Sequence, residues 1–255
     1  MKEIFLSIVI PCYDEMANLQ KGVLDKVQHF FSKEKFSYEV IIVDDGSSDG
    51  SVQFLEEFIK ENPEFRMIKG KHYGKAGAVT KGVLATKGQY VLFTDMDQAT
   101  PIEELDNLLP YLKKGYAVVI GSRNATRKGA PWTRVFMAKS MMFLRGTLVG
   151  LKDIRDTQCG FKLFSREAAQ RIFRRVDSLH EGFAEIAGSS VTAGFDVELL
   201  FLASQMGYKI KEVPVHWLYV ETRRVSPIRD SIEGVLSLIR IRQNALQGKY
   251  KEVKR

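Results

Sequence analysis

Short apolar runs alternate with helical periodicity through the first half of the chain. Leu6–Ile10, Val40–Val43, Phe65–Ile68, Tyr90–Phe93 and Tyr116–Ile120 read as brief strands, apolar at successive positions and so covered on both faces. Between them, apolar residues recur at three- and four-residue spacing over Met16–Phe31, Val52–Ile59, Ala76–Ala85 and Ile102–Leu112, which predicts helices. This alternation predicts an α/β fold with a mostly parallel, Rossmann-like sheet flanked by helices. Beyond about Ala130 the pattern changes. Trp132–Leu151 reads as a long helix rich in Met, Phe and Leu, followed by a turn-rich Asp153–Gly160. A strand over Phe161–Phe164, a helix over Glu167–Phe173, a buried helix over Phe195–Met206 and a strand over Ile210–Val215 come next. The Gly/Ser/Ala-rich stretch Glu181–Gly194 predicts a surface loop, and Arg229–Leu246 a basic amphipathic helix ahead of a basic tail. No linker divides the chain, so the expected organisation is one unit over residues 1–227 with an appended helix and tail over 228–255.

Composition narrows the class. With 45% hydrophobic and 27% charged residues over 255 positions, disorder and collagen-like structure are set aside. Cys12 and Cys159 are too few for a disulfide framework and predict reduced, cytosolic chemistry; no Cys/His cluster points to zinc. The opening run into Pro11 and acidic residues predicts a strand, not a signal peptide, and no apolar stretch is long enough to cross a bilayer. The balance of 38 basic against 31 acidic side chains, a net +7, makes an anionic partner the expectation: a nucleotide, a nucleic acid, a phospholipid surface or a phosphorylated substrate.

Polar clusters follow the predicted strands: Tyr13-Asp14-Glu15, Asp44-Asp45, Asp95-Met96-Asp97 and Ser122-Arg123. In open α/β sheets the ligand crevice lies outside the carboxyl ends of the strands, so four segments would deliver polar groups to one edge. Any one cluster also suits a turn or a helix cap. Asp95 and Asp97, one residue apart after a buried strand, suit a hard divalent cation such as Mg²⁺ or Mn²⁺, although Asp97 could equally cap the helix near Pro101. Of the Asp44-Asp45 pair, either can accept bonds from a ribose or base, and Asp44 can instead hold the turn. Gly74-Lys75-Ala76-Gly77-Ala78 precedes a helix, so its amides and Lys75 could meet an anion. A Walker GxxxxGK[ST] spacing is lacking, as is a GxGxxG after the first strand, which argues against P-loop and nicotinamide chemistry.

Taken together, Ile8–Glu15, Val43–Gly50, Gly74–Ala78, Asp95–Asp97 and Gly121–Arg123 occur in the order and spacing of family 2 glycosyltransferases of the GT-A fold, which the chain resembles. Arg155–Phe164 and Phe195–Leu200 resemble the polyprenyl-phosphate branch, nearest to dolichyl-phosphate β-glucosyltransferases, with the mannosyltransferases close behind. The resemblance implies a nucleotide-sugar donor, a divalent metal and inversion at the anomeric carbon. By motif, Pro11, Tyr13, Glu15, Val43 and Asp45 would hold the nucleoside. Asp95 and Met96 would line the ribose and diphosphate, with Lys75 nearby. Asp97 would be the main metal ligand, Arg123 would reach the donor phosphates or sugar, and Arg224 would reach the phosphates. Asp156, in the Asp-Thr-Gln-Cys-Gly segment, ranks as the catalytic carboxylate, orienting groups more than taking a proton. Arg134 and Lys139 would hold the acceptor phosphate. Glu181–Gly194 is longer than in relatives, and His180 and Glu185 are read as loop residues.

The expected reaction is transfer of a hexose, glucose from UDP-glucose, to a polyprenyl or dolichyl phosphate; GDP-mannose as donor, or a hydroxyl acceptor, are the alternatives. Trp132–Leu151 and Arg229–Leu246 are expected to lie on the cytoplasmic membrane face as a peripheral contact. Nucleic acid is not an expected partner, because acidic strand ends would repel a phosphate backbone.

Overall fold

The computed structural model describes residues 3–123, 132–183, 194–218 and 227–250, with the backbone course alone for 132–139 and 227–231. Seven strands form one sheet: β1 (Leu6–Cys12), β2 (Tyr38–Asp44), β3 (Phe65–Lys69), β4 (Tyr90–Thr94), β5 (Val118–Arg123), β6 (Phe161–Ser165) and β7 (Ile210–Val215). Their spatial order is β3-β2-β1-β4-β6-β5-β7. All pairs are parallel except those of β6, which runs backward between β4 and β5.

Strand alternation sorts the core onto two faces. Val9, Ile41, Val43, Val91, Phe93, Ile120 and Phe164 pack under α4 (Gly74–Leu84), α7 (Arg166–Leu179) and α8 (Phe195–Gln205). Ile8, Ile10, Val40, Ile42, Leu92, Val119 and Leu163 face α2 (Val23–Ser32), α3 (Ser51–Glu61) and α5 (Leu105–Lys113). Burying each such side chain contributes about 1.5–3 kcal/mol relative to leaving it in water, which explains why the strands read as continuous apolar runs.

Three helices differ from the sequence reading by more than two residues. The stretch expected as one helix over Met16–Phe31 is two, α1 (Met16–Leu19) and α2, because Gly22 takes φ +71 between them. A 3-10 turn, Ile102–Glu104, precedes α5. The predicted Glu167–Phe173 helix extends to Leu179: Val176 continues its buried stripe past the charged pair Arg174-Arg175, and Ser165 caps its start by accepting the Ala168 N–H. The two longest helices, α6 (Trp132–Val149) and α9 (Pro227–Leu246), pack on each other. Leu238, Ile241 and Tyr250 are buried with the first face of the sheet, whereas Ile232, Leu236, Ile239 and Leu246 are exposed, as are Met142 and Phe143 of α6. Among the described residues no helix is long and apolar enough to cross a membrane.

Because β1, β2, β4 and β5 run the same way, their carboxyl ends lie on one rim. The register aligns Cys12 with Asp44 and Asp44 with Lys69. The reversed β6 brings its amino end to the same rim, where Phe161 pairs with Thr94. All four polar clusters thus reach one edge.

Candidate active site

The first wall of the site is built around Asp45, which is 3% exposed. Its carboxylate accepts the Tyr73 and Gly74 amides, both at 2.8 Å, and bonds His72 Nδ1 at 2.8 Å. Of the Gly74–Ala78 segment, whose amides could meet an anion, the Gly74 amide is thus given to an internal carboxylate, where the positive end of α4 favours it. His72 in turn stacks on Tyr13, with ring centroids 4.0 Å apart and planes 15° from parallel. Asp44 holds the turn, accepting the Gly46 and Ser47 amides. Glu15 opens α1 and accepts from Asn18. The Val43 side chain is buried in the core, so its backbone is what it can offer a ligand.

The second wall is the Asp95-Met96-Asp97 turn after β4. Lys75 Nζ lies 2.6 Å from Asp95 Oδ1 and ties the start of α4 to the end of β4. Burial opposes the lysine's charge, but Asp95, Asp196 and Asp97 outweigh it and hold Lys75 well above the ordinary lysine range. Asp97 Oδ1 accepts the Ala99 N–H at 3.0 Å within this turn and does not cap the helix near Pro101, whose start takes no side-chain cap. Burial, reinforced by Asp95, still pushes Asp97 above the usual carboxylate range. Met96, like Val43, has its side chain in the core.

The third wall joins β5 to the segment before β6. Arg123 donates Nε to Asp156 Oδ2 at 2.7 Å and Nη2 to Oδ1 at 2.9 Å, and its backbone N–H adds a third bond at 3.0 Å. Burial would raise the Asp156 pKa, but this two-toothed guanidinium contact outweighs it and holds the carboxyl below its usual range. The Arg123 guanidinium also lies 5.9 Å from the centre of the Trp217 ring.

The second and third walls enclose a cavity of about 160 Å³ lined by Asp95, Asp97, Arg123, Gln158, Gly160 and Trp217, among others. Asp97 and Arg123 therefore share it. Asp45 lies outside its lining, linked to it through Gly74 and Lys75. Gly160 is placed by necessity: a Cβ there would fall 1.9 Å from Asp95 Oδ2. Trp217, Gln158 and His72 were not assigned from sequence. Trp217 and His72 sit in connecting segments without a motif, whereas Gln158 lay inside a quoted one. Arg224 and Glu185 lie outside the described residues, as do the side chains of Arg134 and Lys139. His180 is no loose loop residue; it bonds Glu198 at 2.7 Å, and Tyr250 donates to the same carboxylate at 2.6 Å.

Among the described residues, no group of three or more His, Cys, Asp or Glu side chains could hold a metal unaided. Asp95 and Asp97 offer hard oxygen donors in the cavity, which fits a small divalent cation that draws its remaining ligands from phosphate oxygens and water. Cys12, buried and facing Asp44 and Glu15, is pushed up to about 12, and Cys159 is also raised by burial, so both remain thiols.

The mostly parallel sheet, with paired carboxylates on one side of its strand-end rim and a clamped arginine on the other, fits a glycosyltransferase of the GT-A fold, and the chain belongs to glycosyl transferase family 2, whose model matches residues 7–173. It is 35% identical to a dolichyl-phosphate beta-glucosyltransferase of Saccharomyces cerevisiae, over 100% of this chain and 79% of that protein. With the dolichyl-phosphate beta-glucosyltransferase of Dictyostelium discoideum it shares 34% identity, over 97% of this chain and 77% of the relative. In fold it resembles mannosyl-3-phosphoglycerate synthase from Rubrobacter xylanophilus, with a TM-score of 0.62 at 17% identity, over 99% of this chain and 77% of that one.

Proposed function

We propose that this chain transfers glucose from UDP-glucose to a dolichyl or polyprenyl phosphate, inverting the anomeric carbon. The observation that carries the reading is the shared cavity of Asp95, Asp97 and Arg123, taken with the full-length similarity to dolichyl-phosphate beta-glucosyltransferases. Pro11, Tyr13 and Glu15, with the backbone of Val43, border the nucleoside. Asp45 contributes by fixing His72, Tyr73 and Gly74, and His72 supports the Tyr13 ring from behind. Asp97, with Asp95, would hold Mg²⁺ or Mn²⁺, which when bound would supply positive charge to offset that of a departing nucleoside diphosphate.

Arg123 presents a fixed guanidinium to the same phosphates, already oriented by Asp156, so little reorganisation accompanies the reaction. Asp156 stays ionised and weakly basic because of that pairing, and it orients Arg123 without accepting a proton. No base is needed: a lipid phosphate is itself an anionic nucleophile, unlike a sugar hydroxyl. Arg224 is assigned to the donor phosphates, and Arg134 and Lys139 of α6 to the acceptor.

The lipid is collected at the bilayer surface. Ile232, Leu236, Ile239 and Leu246 of α9, with Met142 and Phe143 of α6, offer exposed apolar side chains, and Arg240 and Arg242 lie among them. Residues 1–227 are the catalytic unit in this reading, and 228–255 the peripheral docking element on the cytoplasmic face. The test is transfer of labelled sugar by the purified chain from UDP-glucose and GDP-mannose, with Mg²⁺ or Mn²⁺, to polyprenyl phosphate and to hydroxyl acceptors. Labelled lipid from UDP-glucose is expected; a hydroxyl acceptor working while the lipid phosphate stays unlabelled overturns the reading.

A further inference from the structure

Arg145 lies in the C-terminal half of α6 with its side chain turned into the protein, 9% exposed. Nη1 donates to Thr157 Oγ1 at 3.1 Å, and Nη2 donates to the carbonyls of Arg155, at 3.1 Å, and of Ile154. All three acceptors belong to the short segment that delivers Asp156. From the other side, Glu212 of β7 accepts the N–H of Arg155 at 2.9 Å and that of Asp156 at 2.7 Å. Residues 154–157 are thus gripped between a guanidinium and a carboxylate. Asp156 passes the constraint on, since its two oxygens hold Arg123 at the cavity.

Burying a guanidinium is costly, and a leucine would fasten α6 to the core at less expense in hydration. Arg145 is not even fully satisfied, because its buried Nε has no hydrogen-bond partner. What a planar guanidinium does, and an apolar side chain does not, is fix the directions of several acceptors at once. We infer that Arg145 is a positioning residue for the transfer reaction: through the 154–157 segment it sets Asp156, and through Asp156 it sets the guanidinium of Arg123 against the donor. The substrate named in the test rests on the function proposed above; the chain of contacts does not.

The experiment is a double-mutant cycle between Arg145 and Arg123 in the full chain, with turnover from UDP-glucose to polyprenyl phosphate, UDP binding by calorimetry, and thermal unfolding measured on each protein. Arg145→Met is expected to lower kcat about 10- to 100-fold, the cost of a small misplacement at the reacting centre. KM for the lipid should stay within about twofold, because Arg145 is not placed on the acceptor, and UDP binding should weaken. In an Arg123→Gln background, Arg145→Met should cost less than about threefold more, since the two act as one unit.

Arg145→Lys keeps the charge but not the fork, and it should fold with a wild-type Tm and an intermediate kcat; it replaces Arg145→Met in the cycle if that variant does not fold. Full additivity in the cycle, or wild-type kcat in Arg145→Met, overturns the inference. If the wild-type chain transfers nothing from UDP-glucose, the proposed function fails, and the same cycle read on UDP binding still decides the positioning role.

Discussion

The paired carboxylates after β4 are not equivalent. Asp95 is neutralised by Lys75, whereas Asp97 accepts one backbone N–H and is raised in pKa by burial and by Asp95. Asp97→Asn should therefore remove Mn²⁺ binding and cut transfer by at least about a hundredfold, with thermal unfolding unchanged. The raised pKa has a sign: protons compete with the metal as pH falls, and they do so at a higher pH than for an ordinary carboxylate. A Mn²⁺ titration followed by electron paramagnetic resonance from about pH 7 down to pH 4 should show affinity declining early, and a curve flat until the pH nears the usual aspartate range would contradict the assignment. Gly160→Ala should push Asp95 off Lys75, costing about 1–3 kcal/mol of stability and most of the turnover, because the added Cβ overlaps the Asp95 carboxylate. Wild-type turnover in Gly160→Ala would show that the Asp95–Lys75 contact is dispensable. Strand-end position was enough to single out Asp95, Asp97 and Arg123 in the sequence, whereas Asp156 was found only through the resemblance of its segment to the family. What the sequence hid was their pairing: nothing in the spacing shows that Asp156 is consumed by Arg123, or Asp45 by the amides of Tyr73 and Gly74.

At the scale of elements, strands were more legible than helix ends. A buried strand is marked by every residue along it, but a helix boundary can turn on one position, as Gly22 does between α1 and α2. α7 outran its expected end because a buried Val176 lies beyond two arginines that look like a stop. The link between β6 and α8 was invisible for another reason: Lys162, fully buried, pairs with Asp196 at 2.5 Å and donates to the Cys159 carbonyl at 2.6 Å, and a lone lysine in a strand does not announce a partner on a distant helix. Asp196→Ala, which strands that ammonium, should destabilise the protein by about 3–5 kcal/mol in urea unfolding. Lys162→Met should cost clearly less, since it removes the buried charge along with the bond; equal losses would mean that the pair is not the reason for the cost.

For the molecule as a whole, the exposed side chains Ile232, Leu236 and Ile239 recur along α9 at intervals of four and three, while Leu238 and Ile241 of the same helix are buried. One side of α9 is thus committed to the core and another is left apolar toward solvent, a division the sequence showed as amphipathic spacing without saying which apolar residues belonged to which side. Co-sedimentation with anionic vesicles at low salt should retain the chain, and Leu236→Asp combined with Ile239→Asp should lower partitioning at least about tenfold. Equal recovery of this double variant and the wild type with the vesicles would place the lipid contact elsewhere.

The backward course of β6 has one more consequence. The carboxyl end of β4 furnishes one side of the mouth, while the end of β5 and the turn entering β6 furnish the other, so the two jaws come from stretches that are well separated along the chain. The jaws meet, Gly160 against Asp95 and Asp156 on Arg123, so a chimera joined between β5 and α6 has to keep both contacts intact if a new acceptor preference is to be grafted onto an inherited donor grip.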